Sequence, residues 1–128
     1  MKPLKHLKHL LLGGAASLLC LAPASAQTPA YPSKPVRIIV PLGAGGASDV
    51  IARHLAQVLG EKNGQPFVVE NRPGANTIIG TDACAKAPAD GSTLCVVTGS
   101  SLSINPFVYR KLPYAPEKDF EAVAPLVT

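Results

Sequence analysis

The chain has no tryptophan, one methionine and three phenylalanines in 128 residues. With so few flat side chains it lacks the stacking platform of a single-strand nucleic-acid binder. It also lacks a basic face. Three of its 12 basic residues, Lys2, Lys5 and Lys8, fall in the first ten positions, which leaves nine against eight acids, a net of +1, from Gln27 onward. That is no electrostatic footprint for DNA or RNA, and no nucleic-acid partner is expected.

Histidine and cysteine are scarce too. From Gln27 onward only His54, Cys84 and Cys95 remain, short of the four ligands of a structural zinc site. No metal and no cofactor are expected. The chain has no G-x-S-x-G elbow, no G-K-[ST] after its glycines and no H-x-x-x-H pair. Ser100 and Ser101 have no histidine in a recognisable arrangement, so no catalytic residue is assigned and a binding role is favoured over an enzyme. The alternatives are a secreted α/β hydrolase fragment using Ser100 or Ser101, and a truncated remnant that binds nothing.

A long apolar run is missing as well. The longest, Leu10 to Leu21, has twelve residues, and a helix needs about 20 to cross a bilayer. It follows a short basic stretch and precedes Ala24-Ser-Ala26, the three parts of a secretory signal peptide. The reading is residues 1–26 as signal, cleavage after Ala26, and a periplasmic chain of 102 residues from Gln27. Leu19 is too bulky for the position before a lipoprotein cysteine at Cys20. An oxidising compartment permits a Cys84–Cys95 bridge, but bridge geometry tolerates little error. The two are therefore expected to be unpaired, as small buried apolar residues.

The rest is organised as strand, turn and helix, repeated. Pro35 to Pro41 is a β-branched run that reads as a buried strand. Leu42–Ser48 is a Gly-rich turn, with Ser48 as N-cap and Asp49 in the first helical turn. Ile51, Leu55, Val58 and Leu59 follow a helical period, ending near Gly60 or Gly64. Pro66 to Glu70 is a second strand, Asn71–Asn76 a turn, and Thr77 to Ala87 a short helix stopped by Pro88. Thr93 to Thr98 is a third strand, followed by a turn over Thr98–Ser103 and a helical stretch around Asn105–Leu112. Phe120 to Val127 reads as the start of a fourth strand. Such repetition implies an α/β fold with a parallel sheet and right-handed crossovers.

In such a sheet the turns after the strands gather on one edge, where ligands bind. The three turns are rich in glycine, serine and asparagine and lead into helix starts, whose free N–H groups and positive dipole suit an anion. Gly43-Ala-Gly45-Gly46-Ala47-Ser48 also fits part of a dinucleotide fingerprint, with Glu70 as the ribose acid. Ser48 in place of the third glycine, and Asp49 where pyrophosphate would lie, count against it.

An ordered set of stretches carries a resemblance. They are Tyr31-Pro-Ser-Lys-Pro-Val-Arg-Ile-Ile-Val-Pro41, Gly45-Gly-Ala-Ser-Asp-Val-Ile-Ala-Arg53, Val69-Glu-Asn-Arg-Pro-Gly-Ala75, Ala85-Lys-Ala-Pro-Ala-Asp-Gly91, Ile104-Asn-Pro106 and Lys111 to Phe120. Together they resemble the amino-terminal part of the Bug (TctC-like) receptors, the periplasmic solute-binding proteins of tripartite tricarboxylate transporters. The resemblance implies a two-lobed Venus-flytrap fold that closes on a small carboxylate, with residues 27–128 as part of the first lobe and the second lobe absent. It implies a small organic acid as ligand, with membrane components of such a transporter, or a sensor, as partner. Gly45, Gly46 and Asp49 match the family's first-loop motif, Asn71, Pro73, Gly74 and Ala75 its second, and Ser100 and Ser101 lie in the third loop. Ligand contact is expected at Gly45, Gly46, Ser48, Asp49, Asn71, Gly74, Ala75, Ser100 and Ser101. Asp49 shaping its own loop is an equal alternative to its touching ligand. Asn76-Thr77-Ile78 departs from the glycine-richer stretch usual in the family, and Cys84 and Cys95 stand where plain apolar residues are more common. With part of one lobe and about four strands, the chain is expected to be a fragment, marginally stable alone and a weak binder or non-binder.

Overall fold

The computed structural model describes residues 30–126. The signal segment and its cleavage site after Ala26 lie outside them. The elements are β1 (Val36–Val40), α1 (Ala47–Asn63), β2 (Phe67–Asn71), α2 (Ile78–Ala85), β3 (Thr93–Cys95), α3 (Asn105–Val108) and α4 (Pro116–Asp119), with a π-helical segment over Ser100–Ile104 leading into α3. The strands form one parallel sheet in the order β2-β1-β3. The α/β architecture read from the sequence is thus the one observed.

The central strand is apolar on both faces because both are covered. Ile38 and Val40 pack with Ala52 and Ala56 of α1 and with Val96. Ile39 pairs in register with Cys95, which is bonded to Cys84 of α2. Successive strand residues point to opposite faces, so α1 and α2 cover opposite sides of the sheet. Register runs from Val36↔Phe67 to Val40↔Asn71 and from Arg37↔Thr93 to Ile39↔Cys95, which brings the ends of all three strands to one edge.

Several local expectations are corrected. The helix α1 starts at Ala47 with Gly46 as its N-cap, so Ser48 is the second helical residue and caps nothing. Gly45, at φ +83°, turns the chain early enough to start the helix two residues sooner. The buried face of α1 is set by Asp49, Ala52 and Ala56. Ile51, Leu55 and Leu59 are half-buried and Val58 is exposed, because the small alanines allow close approach and the larger side chains flank the contact. The helix ends at Gly64, left-handed at φ 66°, whose N–H donates to Gly60 O.

The strand β3 is shorter than expected, its pairing ending where Val96 N–H donates to Ile39 O at 2.9 Å. Helical structure after it begins at Ser100 and ends at Val108, not over Asn105–Leu112. Of the expected fourth strand, residues 120–126 form none, and Val127 lies outside the described residues. A strand exists by pairing, and among the described residues none pairs with this segment. Phe120 instead sets its ring edge-on to Tyr114, centroids 6.0 Å apart.

Cys84 and Cys95 are bonded, contrary to expectation. Their Cα atoms are 6.2 Å apart, inside the range a bridge requires. The short helix does lie over the strand that follows it, and that placement is what counting cysteines could not supply. A second tie, Lys34 Nζ to Asp90 Oδ2 at 2.7 Å, joins the approach to β1 with the turn before β3. The Lys34 ammonium, and then the Ser92 hydroxyl and N–H, hold the Asp90 carboxyl well below the usual carboxylate range.

Candidate functional site

The first loop is built around Asp49. Standing third in the helix, its carboxylate reaches back over the turn, where Gly45 N–H donates to Oδ2 at 2.8 Å. This resembles the backward arm of a capping box, shifted by one residue. Arg53, one turn on, donates from Nε to Oδ2 at 3.1 Å and lies with Nη2 3.0 Å from Oδ1. Asn71 Nδ2 supplies a further donor to Oδ1 at 2.9 Å. The Arg53 hydrogen bond above all, then the Gly45 N–H and the Asn71 amide, hold the carboxyl at about 2. At 3% exposure, Asp49 lies beneath the loop and orders it from inside. Ser48 is half-buried in the first helical turn, while Gly45 and Gly46 are exposed above.

Asn71 joins the first loop to the second. Its Nδ2 also donates to Leu42 O at 3.2 Å, and its Oδ1 accepts from Arg53 Nη2 at 2.9 Å. Beyond it Gly74 takes φ +128°, and Ala75, Asn76 and Thr77 follow at φ 45°, 50° and 73°. Three consecutive non-glycine residues in the left-handed region are costly, most of all for β-branched Thr77. Gly74 and Ala75 are exposed. Close behind, Gly80 of α2 packs where a Cβ would stand 2.7 Å from both Arg72 O and Pro41 Cα.

The third loop meets the second through buried hydroxyls. Ser101 is fully buried, its Oγ 2.9 Å from Thr77 Oγ1 and 3.2 Å from Thr98 Oγ1. Ser100 is half-buried at the start of the π-helical segment, and its carbonyl accepts from Asn105 N–H. Below, Asn76 Nδ2 donates to Asn105 Oδ1 at 2.7 Å, Asn105 Nδ2 donates to Asn76 O at 2.9 Å, and Tyr114 Oη donates to Ser101 O at 2.8 Å.

The structure therefore brings all nine expected residues to the three loops at one sheet edge. It divides them: Gly45, Gly46, Gly74 and Ala75 face solvent, whereas Asp49, Asn71 and Ser101 make the ties between loops. Arg53, Asn76, Thr77, Asn105 and Tyr114 belong to the same framework and were given no role from the sequence. The signal for Asn105 and Tyr114 was faint: each is a polar residue among apolar and proline neighbours, in stretches used only for the resemblance. Glu70, the ribose acid of the dinucleotide alternative, is engaged by Arg72 Nε at 2.7 Å and faces Arg37 at 3.6 Å. Neither α1 nor α2 has a side-chain cap at its N-terminus. In α2 the first N–H, that of Ile78, donates to Ala75 O at 3.1 Å, so it is α1 whose first-turn N–H groups are left to an anion. Among the described residues no group of three His, Cys, Asp or Glu is placed to hold a metal, and no helix is long and apolar enough to cross a membrane.

Residues 51–128 match the family described as tripartite tricarboxylate transporter family receptor. A UPF0065 protein of Bordetella bronchiseptica is 42% identical over 126 residues, 93% of this chain and 38% of the relative. Protein BugT of Bordetella pertussis is 45% identical over 104 residues, 80% of this chain and 31% of the relative. Among solved structures, the periplasmic binding protein BugD aligns with TM-score 0.66 at 38% identity, over 71% of this chain and 30% of that one. An R. palustris protein with adipate aligns at 0.65 and 39%, over 68% and 29%. MatC from Rhodopseudomonas palustris, with bound malate, aligns at 0.66 and 33%, over 70% and 31%. The chain thus spans less than two-fifths of the curated relatives it matches.

Proposed function

Because the chain belongs to the tripartite tricarboxylate transporter receptor family, we propose that its three-loop edge is the first-lobe share of a site for a small organic acid. The protein is read as a solute receptor and not an enzyme, exported by its amino-terminal segment with cleavage after Ala26. It passes its ligand to the membrane components of a tripartite tricarboxylate transporter or to a sensor.

The observation that carries this reading is the fusion of the three loops. The Asp49, Arg53 and Asn71 cluster ties the first to the second, and Thr77 with Ser101 ties the second to the third. The Asp49, Thr77 and Ser101 side chains are turned inward and Arg53 lies partly exposed at the margin, which leaves mainly glycine and alanine backbone outward, beside helix starts without side-chain caps. Such a rim suits a carboxylate held by N–H groups and says little of the rest of the solute. Adipate and malate in the two neighbours support a dicarboxylate of that size.

The hydrolase alternative finds little support. The Ser101 hydroxyl bonds two threonine hydroxyls, neither of them a base, and is fully buried. His54 is exposed on α1. Calorimetry against adipate, malate, a monocarboxylate and a neutral amide tests the proposal. Saturable heat with the dicarboxylates and no turnover is expected. Silence across the panel would defeat it, and labelling of Ser100 or Ser101 by a serine-directed phosphonate would favour the hydrolase.

A further inference from the structure

Five residues close a ring beneath the second and third loops. Asn105, fully buried, uses its whole amide: Oδ1 accepts from Asn76 Nδ2, one Nδ2 hydrogen goes to Asn76 O at 2.9 Å, and the other points to Tyr114 Oη at 3.4 Å. Tyr114 Oη in turn donates to Ser101 O at 2.8 Å, and Ser101 Oγ meets Thr77 Oγ1 at 2.9 Å. Thr77 follows Asn76 in the chain, and the ring is complete.

What it encloses is the strained part of the second loop. Ala75, Asn76 and Thr77 hold positive φ in succession, a conformation that non-glycine residues keep only when the surroundings over-determine it. The Asn76–Asn105 pair grips both the side chain and the carbonyl of the middle residue, and Thr77 is held through its hydroxyl. Released from these bonds, the segment would relax to negative φ and turn its N–H groups elsewhere.

We propose that Asn105 and Tyr114 are positioning residues of the carboxylate site. They touch no ligand themselves and act by holding Ala75–Thr77 left-handed, so that this loop's N–H groups are aimed before the ligand arrives. The inference rests on the proposed function for its ligand, but its backbone claim stands independently. Their bonds to Asn76 and to the Ser101 carbonyl also couple the second loop to the third, so the two loops present one surface.

The test uses the full chain and two readouts. The first is NMR: a left-handed residue has a short intraresidue HN–Hα distance, so strong HN–Hα cross-peaks are expected for Ala75, Asn76 and Thr77. Asn105→Ala should abolish these while cross-peaks within α1 and β1 persist, which a general loss of fold would not spare. Tyr114→Phe removes one hydroxyl and keeps the ring on Phe120, so it serves if Asn105→Ala fails to fold; it should weaken the same three cross-peaks. The second readout is calorimetry with adipate and malate. Loss of the buried bonds should cost roughly tenfold in affinity for Asn105→Ala and about threefold for Tyr114→Phe. Left-handed cross-peaks unchanged in the folded variants would overturn the inference. Wild type binding neither acid, with the cross-peaks still dependent on Asn105, would instead overturn the proposed function and leave the positioning of the loop established.

Discussion

Asn71 Nδ2 donates to Asp49 Oδ1 at 2.9 Å, joining the last residue of β2 to the first turn of α1 across 22 positions of sequence. The same carboxylate takes Arg53 and the Gly45 N–H, so one ionised group orders a loop, a helix start and a strand end together.

That arrangement predicts a defined acid response. The folded carboxyl is held at about 2, against 3.8 ordinarily, by Arg53 first, then Gly45 and Asn71. The unfolded chain therefore takes up the proton at higher pH than the folded one. The contribution of Asp49 is fully present above 3.8 and is lost as pH falls towards 2. Asp90 is also held low, by Lys34, and adds a slope of the same sign. Urea melts of wild type and Asp49→Asn at stepped pH isolate the Asp49 share: the gap between them should narrow across that window. Parallel curves down to the lowest pH would refute the assignment.

Gly80 is expected to resist even one added carbon. A Cβ there would meet Arg72 O and Pro41 Cα, both backbone, at 2.7 Å. Neither can swing aside as a side chain could. Gly80→Ala should therefore destabilise by about 2 kcal/mol, although alanine is the better helix former. A denaturation midpoint equal to or above wild type would show that α2 can slide away at no cost.

Which parts of this were legible depends on whether the cause was local. The Val36–Val40 run declares a buried strand, and Gly60 and Gly64 bracket a helix end, because β-branching and left-handed glycine act over a few residues. The three loops could be placed on one edge because a parallel sheet leaves no other choice. Gly80 read as an ordinary helix residue, since the Pro41 backbone that constrains it lies 39 positions away. Asn105 and Tyr114 were overlooked for the same reason: their partners Asn76 and Ser101 are brought to them by the fold. The bridge between Cys84 and Cys95 depended on α2 lying over β3, a matter of packing that composition does not carry.

The bridge gives a third prediction. Peptide mapping without reductant should recover Cys84 and Cys95 as one linked pair. They are 11 positions apart, and closing a loop of that length removes chain entropy worth about 2–3 kcal/mol from the unfolded state. Reductant should lower the thermal midpoint of wild type and leave that of the Cys84→Ala, Cys95→Ala double variant unmoved. Recovery of both cysteines as free thiols from oxidised material would overturn the pairing.

The last prediction separates the first loop's fold from its proposed use. Gly46 is the N-cap of α1 at φ −78° and ψ 169°, a conformation open to any residue, and a Cβ there would stand 3.7 Å from Gly43 O, an ordinary contact. A side chain can thus be added without forcing the backbone. Valine is a poorer cap than glycine, and Gly46→Val should cost about 1 kcal/mol of stability, measurable by urea and too little to unfold the loop. Its effect on binding should be larger. The branched side chain would project from the rim where a carboxylate approaches the first-turn N–H groups, and adipate or malate affinity should fall by roughly tenfold or more. Calorimetry on the two proteins decides it. If the variant keeps the wild-type affinity while paying only the capping cost, the first loop lies outside the site, and the ligand is held by the second and third loops alone.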